Sequence, residues 1–206
     1  MIIMLDCGPK QLATAKKDLA GKLEIGQLLT PLTRFSDHGL TYGIDNGAFS
    51  RFDSKGFLSL LERQKNNKDR CMFVAVPDVV GSARRTLEIF DKWKSKLSEW
   101  PLALVAQDGL EDLSIPWDDI SAIFIGGSTE WKLSKNAEAV IKCGLALDKW
   151  VHVGRVNTPN RLDKFMNMGV HSVDGSGISR FSWQRRNLVS RDLFNTSEAH
   201  ISHERN

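Results

Sequence analysis

The feature that most constrains this chain is a repeated alternation of short apolar runs with longer stretches of helical periodicity. Eight apolar runs, which end in Gly, Asp, Asn or Pro, predict strands. They cover residues 2–5, 27–30, 42–45, 72–76, 102–106, 122–125, 151–153 and 172–174. Six stretches predict amphipathic helices at 9–20, 54–66, 82–97, 130–142, 159–168 and 181–188. Ser82 is the predicted N-cap of the third helix.

Apolar strands that alternate with helices indicate a parallel sheet whose faces are covered. Eight such units predict an α/β fold, a compact (β/α)8 TIM-type barrel in one domain over residues 1–194, followed by a polar tail at 195–206. An open, doubly wound sheet is the alternative. The connections at 31–41 and 109–121 are expected to be irregular or to carry only a short helical turn.

The composition restricts the setting and the partners. The 206 residues include 28 basic and 25 acidic side chains, so the net charge of +3 permits nucleic acid as a partner without requiring it. No apolar run approaches the roughly 20 residues of a membrane helix, and we expect neither a membrane segment nor a signal peptide. Cys7, Cys71 and Cys143 are far apart and lack zinc-type spacing, so a reducing cytoplasm is the expected location.

Three acidic residues follow buried-looking strands. Asp45, Asp78 and Asp174 each come at or directly after an apolar run. Because the active site of a parallel barrel forms at the C-terminal ends of its strands, these carboxylates should meet in one mouth. Convergent carboxylates indicate acid/base or covalent glycosyl chemistry, with magnesium binding as the competing use. The five histidines form no ligand pair at helical spacing, so no metal site is predicted.

A basic stretch lies near the C-terminal end. Arg180, Arg185, Arg186 and Arg191 occur close together, with Trp183 among them. A solvated basic face is one interpretation of this stretch. Contact with the phosphates of a nucleic acid is the other, supported by an aromatic side chain that could stack on a base.

Several motifs together resemble the tRNA-guanine transglycosylase superfamily. The run from Asp45 to Phe49, Asp-Asn-Gly-Ala-Phe, is similar to that family's Asp-Ser-Gly-Gly-Phe signature. The segments 152–162 and 169–174 resemble its His-…-Gly-…-Thr-Pro stretch and the following Gly-Val-Asp, and Ser179-Arg180 falls where the family has Thr-Arg. Between them, in the family's order, lie Asp78, Gln107, Gly126 and Gly127. The resemblance spans residues 27–180.

The resemblance implies a (β/α)8 barrel that exchanges guanine in a polynucleotide for a 7-deazaguanine. On this basis Asp174 is the expected nucleophile toward C1′, and Asp45 is the expected general acid/base. Asp78 and Gln107 are expected to bind the Watson–Crick edge of guanine. The backbone amides of Gly126 and Gly127 are expected to bind its carbonyl oxygen. No cofactor is implied.

The resemblance also implies contacts around the base and a choice of substrate. Phe49 or Trp131 would provide a stacking wall, and the expected phosphate contacts are Arg180, Arg185 and Arg186. The chain has no cysteine after Cys143, whereas the tRNA-modifying enzymes carry a Cys/Cys/Cys/His zinc site there. A zinc-free chain is more similar to the bacterial and phage 7-deazaguanine DNA transglycosylases, with single-stranded or locally opened DNA and 7-cyano-7-deazaguanine or a relative as substrates.

Three alternatives remain open from the sequence. The same family chemistry could act on tRNA. The three acids could instead serve a hydrolase of nucleosides or a metal-dependent lyase. The chain could also be a nucleic-acid-binding or protein-binding module on a barrel without activity.

Overall fold

The computed structural model describes residues 1–19, 23–32 and 38–189, and its strands form one closed parallel barrel. The strands occur in chain order around the barrel, and β8 pairs with β1 to close it. They are β1 Ile2–Leu5, β2 Glu24–Leu29, β3 Tyr42–Ile44, β4 Cys71–Ala75, β5 Leu102–Ala106, β6 Ala122–Ile125, β7 Trp150–Val153 and β8 Ser172–Asp174. The predicted barrel is therefore confirmed, and the open-sheet alternative is wrong.

The strand predictions differ from the structure only at some ends. The largest difference is in β2, which begins at Glu24 instead of residue 27, because its first residues pair with Ile2 and Ile3 of β1. Strand pairing extends the element beyond the apolar run. Polar residues at the bottom of a barrel can therefore belong to a strand that periodicity alone does not include.

The described helices lie outside the barrel. They are α1 Pro9–Leu19, α2 Ser54–Gln64, α3 Ala83–Trp93, α4 Thr129–Leu133, α5 Lys135–Ala146, α6 Pro159–Asn167, α7 Ser176–Arg180 and α8 Ser182–Val189. Further 3-10 turns occupy Lys65–Arg70, Lys94–Leu97, Leu110–Asp112 and Trp117–Asp119. The last two confirm short helical turns in the connection at 109–121. The Ser82 hydroxyl accepts a hydrogen bond from the Arg85 amide, which confirms the predicted N-cap.

Two helix predictions need correction. The helix predicted at 130–142 is two helices, because Ser134 takes an extended backbone conformation between them and its hydroxyl caps α5 at the Ala137 amide. The helix α7 was not predicted, since it has only five residues and follows β8 almost directly. The predicted tail at 195–206 and Arg191 lie outside the described residues.

The core has two layers. A large cluster lies between the strands and the helices, and a smaller one fills the barrel interior. In the interior, the Phe73 ring occupies the space beside Gly43, where an added Cβ would lie 2.2 Å from the ring. The bottom and middle of the barrel are therefore filled, which leaves the C-terminal mouth as the place for a site. None of the helices in the described ranges is long and apolar enough to cross a membrane.

Candidate active site

The C-terminal ends of the strands surround a cavity of about 440 Å³. This volume falls within the range of about 300–1,000 Å³ that is typical of small-molecule sites. The polar side chains that line it include Asp6, Asp45, Asn46, Asp78, Gln107 and Asp174. Its apolar lining includes Leu28, Ala75, Val105 and Phe124, and its mouth is lined by Leu32, Phe49, Val80, Arg155 and Arg180. The three predicted acids thus meet in one place.

Asp174 ends β8 and is held by two donors. Its Oδ2 lies 3.0 Å from Nε2 of His152, and its Oδ1 accepts a hydrogen bond from the Arg155 amide at 3.2 Å. The side chain is only 13% exposed. The carboxylate is therefore fixed in orientation while it still borders the cavity.

His152 lies on β7 behind Asp174, and the sequence by itself predicts no role for it. It is fully buried, and its ring lies between those of Phe73 and Phe124, with centroids 4.7 and 4.6 Å away. Two signals point to this histidine: it is the first residue of the segment 152–162 that resembles the family's His-…-Gly-…-Thr-Pro stretch, and it lies on the strand next to β8, where it pairs with Ser172.

The polar contacts of His152 assign its tautomer. Its Nδ1 lies 2.8 Å from the Ser172 hydroxyl, which also accepts a hydrogen bond from Trp150 Nε1 at 2.9 Å. Because the Asp174 carboxylate can only accept, Nε2 of the neutral imidazole carries the hydrogen and donates to it. Nδ1 is then the acceptor, and the Ser172 hydroxyl donates its hydrogen to this nitrogen. Trp150, Ser172 and His152 therefore form a chain of donors that ends on this carboxylate.

Asp45 follows β3 and lies in a different environment. Its Oδ1 accepts a hydrogen bond from the Gly47 amide at 2.8 Å. Burial is the largest influence and raises the pKa of Asp45 to about 7, opposed by the Gly47 hydrogen bond and assisted by the charges of Asp174, Asp78 and Asp6. A carboxyl group with this pKa can both donate and accept a proton near neutral pH.

Asp78 is oriented by two amide side chains. Its Oδ1 accepts from Asn46 Nδ2 at 2.8 Å, and its Oδ2 accepts from Gln107 Nε2 at 2.7 Å. Burial raises the pKa of Asp78, and these two hydrogen bonds oppose the rise. Both amides are themselves fixed, since Asn46 also donates to the Val76 carbonyl and Gln107 accepts from the Gly81 amide. The Asp78 oxygens therefore have defined positions at the cavity.

The Gly-Gly turn after β6 corrects one prediction. The amides of Gly126 and Gly127 both donate to the Ala106 carbonyl, at 2.9 and 3.0 Å, so they are engaged with the sheet instead of facing a ligand. Their carbonyls accept from Arg155 Nη2. An added Cβ on Gly126 would lie 2.7 Å from Val105, so the absence of a side chain does keep this side of the cavity close-packed.

Arg155 is a second residue that we did not predict. It has a positive φ of 61°, and its guanidinium lies over the Phe49 ring at 4.4 Å. Its conformation is held from several sides, including a 2.5 Å hydrogen bond from the buried Lys132 to the Gly154 carbonyl. Burial, assisted by the nearby Arg155 charge, lowers the pKa of Lys132 to about 8. Strained backbone held in this way is typical of functional sites, and here it places the Arg155 amide on Asp174.

The predicted stacking residues have different positions. Phe49 is at the cavity mouth and is 65% exposed, so its ring can meet a ligand. Trp131 is buried against Gly127, and its Nε1 donates to Glu111 at 2.8 Å. Trp131 does not line the cavity, and its predicted role as a stacking wall is therefore corrected: it supports the turn from behind.

The three arginines predicted to contact phosphates differ in their exposure. Arg180 lines the mouth and is exposed, and Arg186 is exposed on α8. Arg185 is only 2% exposed, and its guanidinium binds Asp18 and the carbonyls of Ile178 and Ser179. A buried, fully engaged guanidinium cannot reach a phosphate, so the prediction for Arg185 is corrected to a structural role. Among the described residues, no three His, Cys, Asp or Glu side chains are grouped to hold a metal ion.

No protein-family model matches the chain, and a search of curated proteins finds no match. Solved structures do resemble it. Phosphoribosyl anthranilate isomerase from Thermus thermophilus shares 14% identity over 91% of this chain and 95% of its own, with a TM-score of 0.49. A "native KDPGal structure" shares 13% over 92% of each chain, with a TM-score of 0.39. A designed cube-shaped protein cage shares 14% over 92% of this chain and 70% of its own, with a TM-score of 0.46. At these identities the likeness does not extend to function.

Proposed function

We propose that this chain is a guanine transglycosylase that replaces guanine in DNA with a 7-deazaguanine, such as 7-cyano-7-deazaguanine, through a covalent aspartyl-glycosyl intermediate. One observation carries the proposal: a single cavity contains two aspartates in contrasting environments. Asp174 accepts hydrogen bonds from two fixed donors, and burial raises the pKa of Asp45 to about 7. Environments that differ in this way divide two carboxyl groups between a nucleophile and an acid/base.

In the first step an oxygen of Asp174 attacks C1′ of the target nucleotide. A bond forms between this oxygen and C1′, and the bond from C1′ to N9 breaks with its electron pair going to N9. Asp45 in its acid form transfers its proton to the departing guanine and becomes a carboxylate. His152 and the Arg155 amide support this step because they hold Asp174 in one orientation.

The second step reverses the first with a different base. The Asp45 carboxylate takes the proton from N9 of the incoming 7-deazaguanine, and N9 attacks C1′ to release Asp174. Both aspartates return to their starting states, so no redox partner is consumed. Two displacements at C1′ retain the configuration of the nucleoside, as in retaining glycosidases.

Recognition of guanine is supported by the two oxygens of Asp78. Each accepts one hydrogen bond from an amide side chain and keeps lone pairs for a further donor. The N1–H and exocyclic amino groups of guanine provide two adjacent donors of this kind, whereas adenine presents an acceptor at N1. Val105 and Phe124 contribute apolar surface to the same cavity, which suits a planar base that has left the stack.

The test is nucleoside mass spectrometry after incubation with guanine-labelled DNA and 7-cyano-7-deazaguanine. We expect repeated turnovers of guanine release, and the deazaguanine nucleoside in the DNA, only when the incoming base is present. Asp174→Asn should abolish release and also the covalent protein–DNA adduct on denaturing gels. Asp112→Asn, at an exposed carboxyl on a 3-10 turn outside the cavity, is the matched control and should retain activity.

Each contrary result has a definite meaning. Guanine release in excess of the amount of enzyme, without any incoming base, would identify a hydrolytic N-glycosidase. Exchange on tRNA but not on DNA, in parallel reactions, would show that the substrate is tRNA while the proposed reaction is retained. Undiminished exchange by Asp174→Asn would remove the assigned nucleophile, and no release from either nucleic acid would refute the proposal.

A further inference from the structure

A pair of exposed aromatic side chains lies beside the cavity. Phe181 and Trp183 are 50% and 56% exposed, and their rings are stacked with centroids 6.4 Å apart and planes inclined by 30°. Large apolar side chains scattered singly over a surface need no explanation, but two that present ring faces together at the edge of a site are typical of a binding surface. The mechanism proposed above uses neither residue.

The aromatic pair follows the cavity mouth in the chain, and arginine side chains lie on both sides of it in the sequence. Phe181 directly follows Arg180, which lines the cavity mouth. Arg186 lies one helical turn beyond Ser182 and is 61% exposed. The Arg186 guanidinium also donates to Asp18 and to the Ser182 hydroxyl, which fixes its position on α8. A strand that leaves the cavity past Arg180 would therefore reach the two rings on a segment that carries exposed guanidinium groups.

The backbone under the pair is fixed by buried contacts. The Phe181 amide donates to the Gly177 carbonyl at 2.8 Å, and the Gln184 amide donates to the Phe181 carbonyl at 3.2 Å. The buried Arg185 donates to two carbonyls of α7 and to Asp18, so it joins α7, α8 and α1. The rings are thus presented from a rigid support, which lowers the entropy lost when a ligand binds.

We infer that Phe181 and Trp183 form a stacking platform for unpaired bases of the DNA strand next to the target guanine. Aromatic faces with neighbouring cations match the two parts of a single strand, since bases stack on the rings and phosphates pair with the guanidinium groups. In a duplex the base faces are already stacked and cannot reach the rings. The inference rests on the proposed function, and it specifies that the substrate is unpaired beside the target base.

The experiment measures the affinity of the full chain for a fluorescein-labelled single strand of about 12 nucleotides with one central guanine, by fluorescence anisotropy. Trp183→Ala and Phe181→Ala should each weaken binding by about 5- to 150-fold, from the usual worth of one stacked base. Affinity for the matching duplex should be nearly unchanged. Leu147→Ala and Leu133→Ala, at two exposed apolar side chains on other elements, are the matched controls and should bind as the wild type does.

A covalent probe locates the contact. A strand with 5-iodouracil next to the guanine should cross-link on irradiation to the peptide that contains Trp183, and it should not do so in Trp183→Ala. Equal losses for single strand and duplex, equal losses in the leucine controls, or unchanged affinity in both aromatic variants would each overturn the inference.

Failure of the inference is distinguishable from failure of the proposed function. Binding needs no turnover, so the aromatic variants can lose affinity even if no base exchange is found. In that case the platform stands and the proposed reaction falls. If exchange proceeds and the aromatic variants keep the wild-type KM for single-stranded DNA, the platform falls and the reaction stands.

Discussion

Replacing Arg185 by Met should destabilise the barrel strongly, because this side chain joins α8, the last helix in the described ranges, to α1. The guanidinium donates to Asp18 at 2.9 Å, to the Ile178 carbonyl at 2.8 Å and to the Ser179 carbonyl at 3.2 Å. Its side chain is 2% exposed and that of Asp18 is 8% exposed. Methionine fills similar space without any donor, so the Asp18 carboxylate and the two carbonyls lose these contacts.

The magnitude follows from the burial and from the contacts that survive. Removing one partner of a buried ion pair costs about 3–5 kcal/mol. Asp18 keeps its hydrogen bonds from Ser182 and the exposed Arg186, so we expect the lower end, about 3 kcal/mol. For a chain of this length, that loss lowers Tm by about 6–12 °C.

The pKa of Asp18 predicts how this stabilisation depends on pH. Burial by itself raises the pKa of Asp18, but hydrogen bonds from Ser182 and Arg185 and the charges of Arg185 and Arg186 outweigh it, and the pKa lies below its usual range. A carboxyl group whose pKa is lowered by folding stabilises the protein above its unfolded pKa of about 3.9. That contribution is lost as the pH falls through the folded pKa, so the gap between wild type and Arg185→Met should narrow in acid.

Urea denaturation followed by far-UV circular dichroism, with thermal scans at neutral and acidic pH, measures these effects. Arg186→Met is the matched control, because its guanidinium binds the same carboxylate but is 61% exposed, and it should cost less than about 1 kcal/mol. The double variant Asp18→Asn/Arg185→Met should lose less unfolding free energy than the sum of the losses in the two single variants, by at least about 1 kcal/mol. A loss below 1 kcal/mol in Arg185→Met, or strict additivity in the double variant, would refute the reasoning.

Two further predictions concern the barrel interior and its mouth. Because folding raises the pKa of Asp45 from about 3.8 to about 7, the native state holds a proton that the unfolded chain releases, and stability should fall as the pH rises through this window. Asp45→Asn should therefore stabilise the protein by up to about 4 kcal/mol at pH 8 and by much less at pH 5. Thermal denaturation at the two pH values measures this difference, and equal shifts in Tm would contradict the prediction. Gly43→Ala should destabilise by about 1–3 kcal/mol in urea denaturation, because its Cβ would meet the fully buried Phe73 ring at 2.2 Å; a neutral effect would show that the ring can move.

Local patterns were sufficient for the architecture. Each predicted strand corresponds to an observed one, because a strand buried on both faces is apolar along its whole length and ends where turn residues begin. The positions of Asp45, Asp78 and Asp174 at the cavity follow from the same pattern, since parallel strands all end on one side of a barrel. The break between α4 and α5 at Ser134 is harder to predict from the sequence, because serine is compatible both with a helix interior and with a cap.

The partners of these acids depend on which neighbours the barrel brings together. His152 contacts Asp174 across two adjacent strands, a contact set by register and not by any sequence motif. The Gly126 and Gly127 amides are engaged by Ala106, and Arg185 is buried rather than exposed, because packing against other elements decides which polar groups remain available. The sequence by itself thus determined the eight-unit barrel and the side on which its acids gather. Only the tertiary structure decided the donors that fix Asp174, the burial that raises the pKa of Asp45, and which arginines reach the surface, since all three depend on contacts between residues distant in the chain.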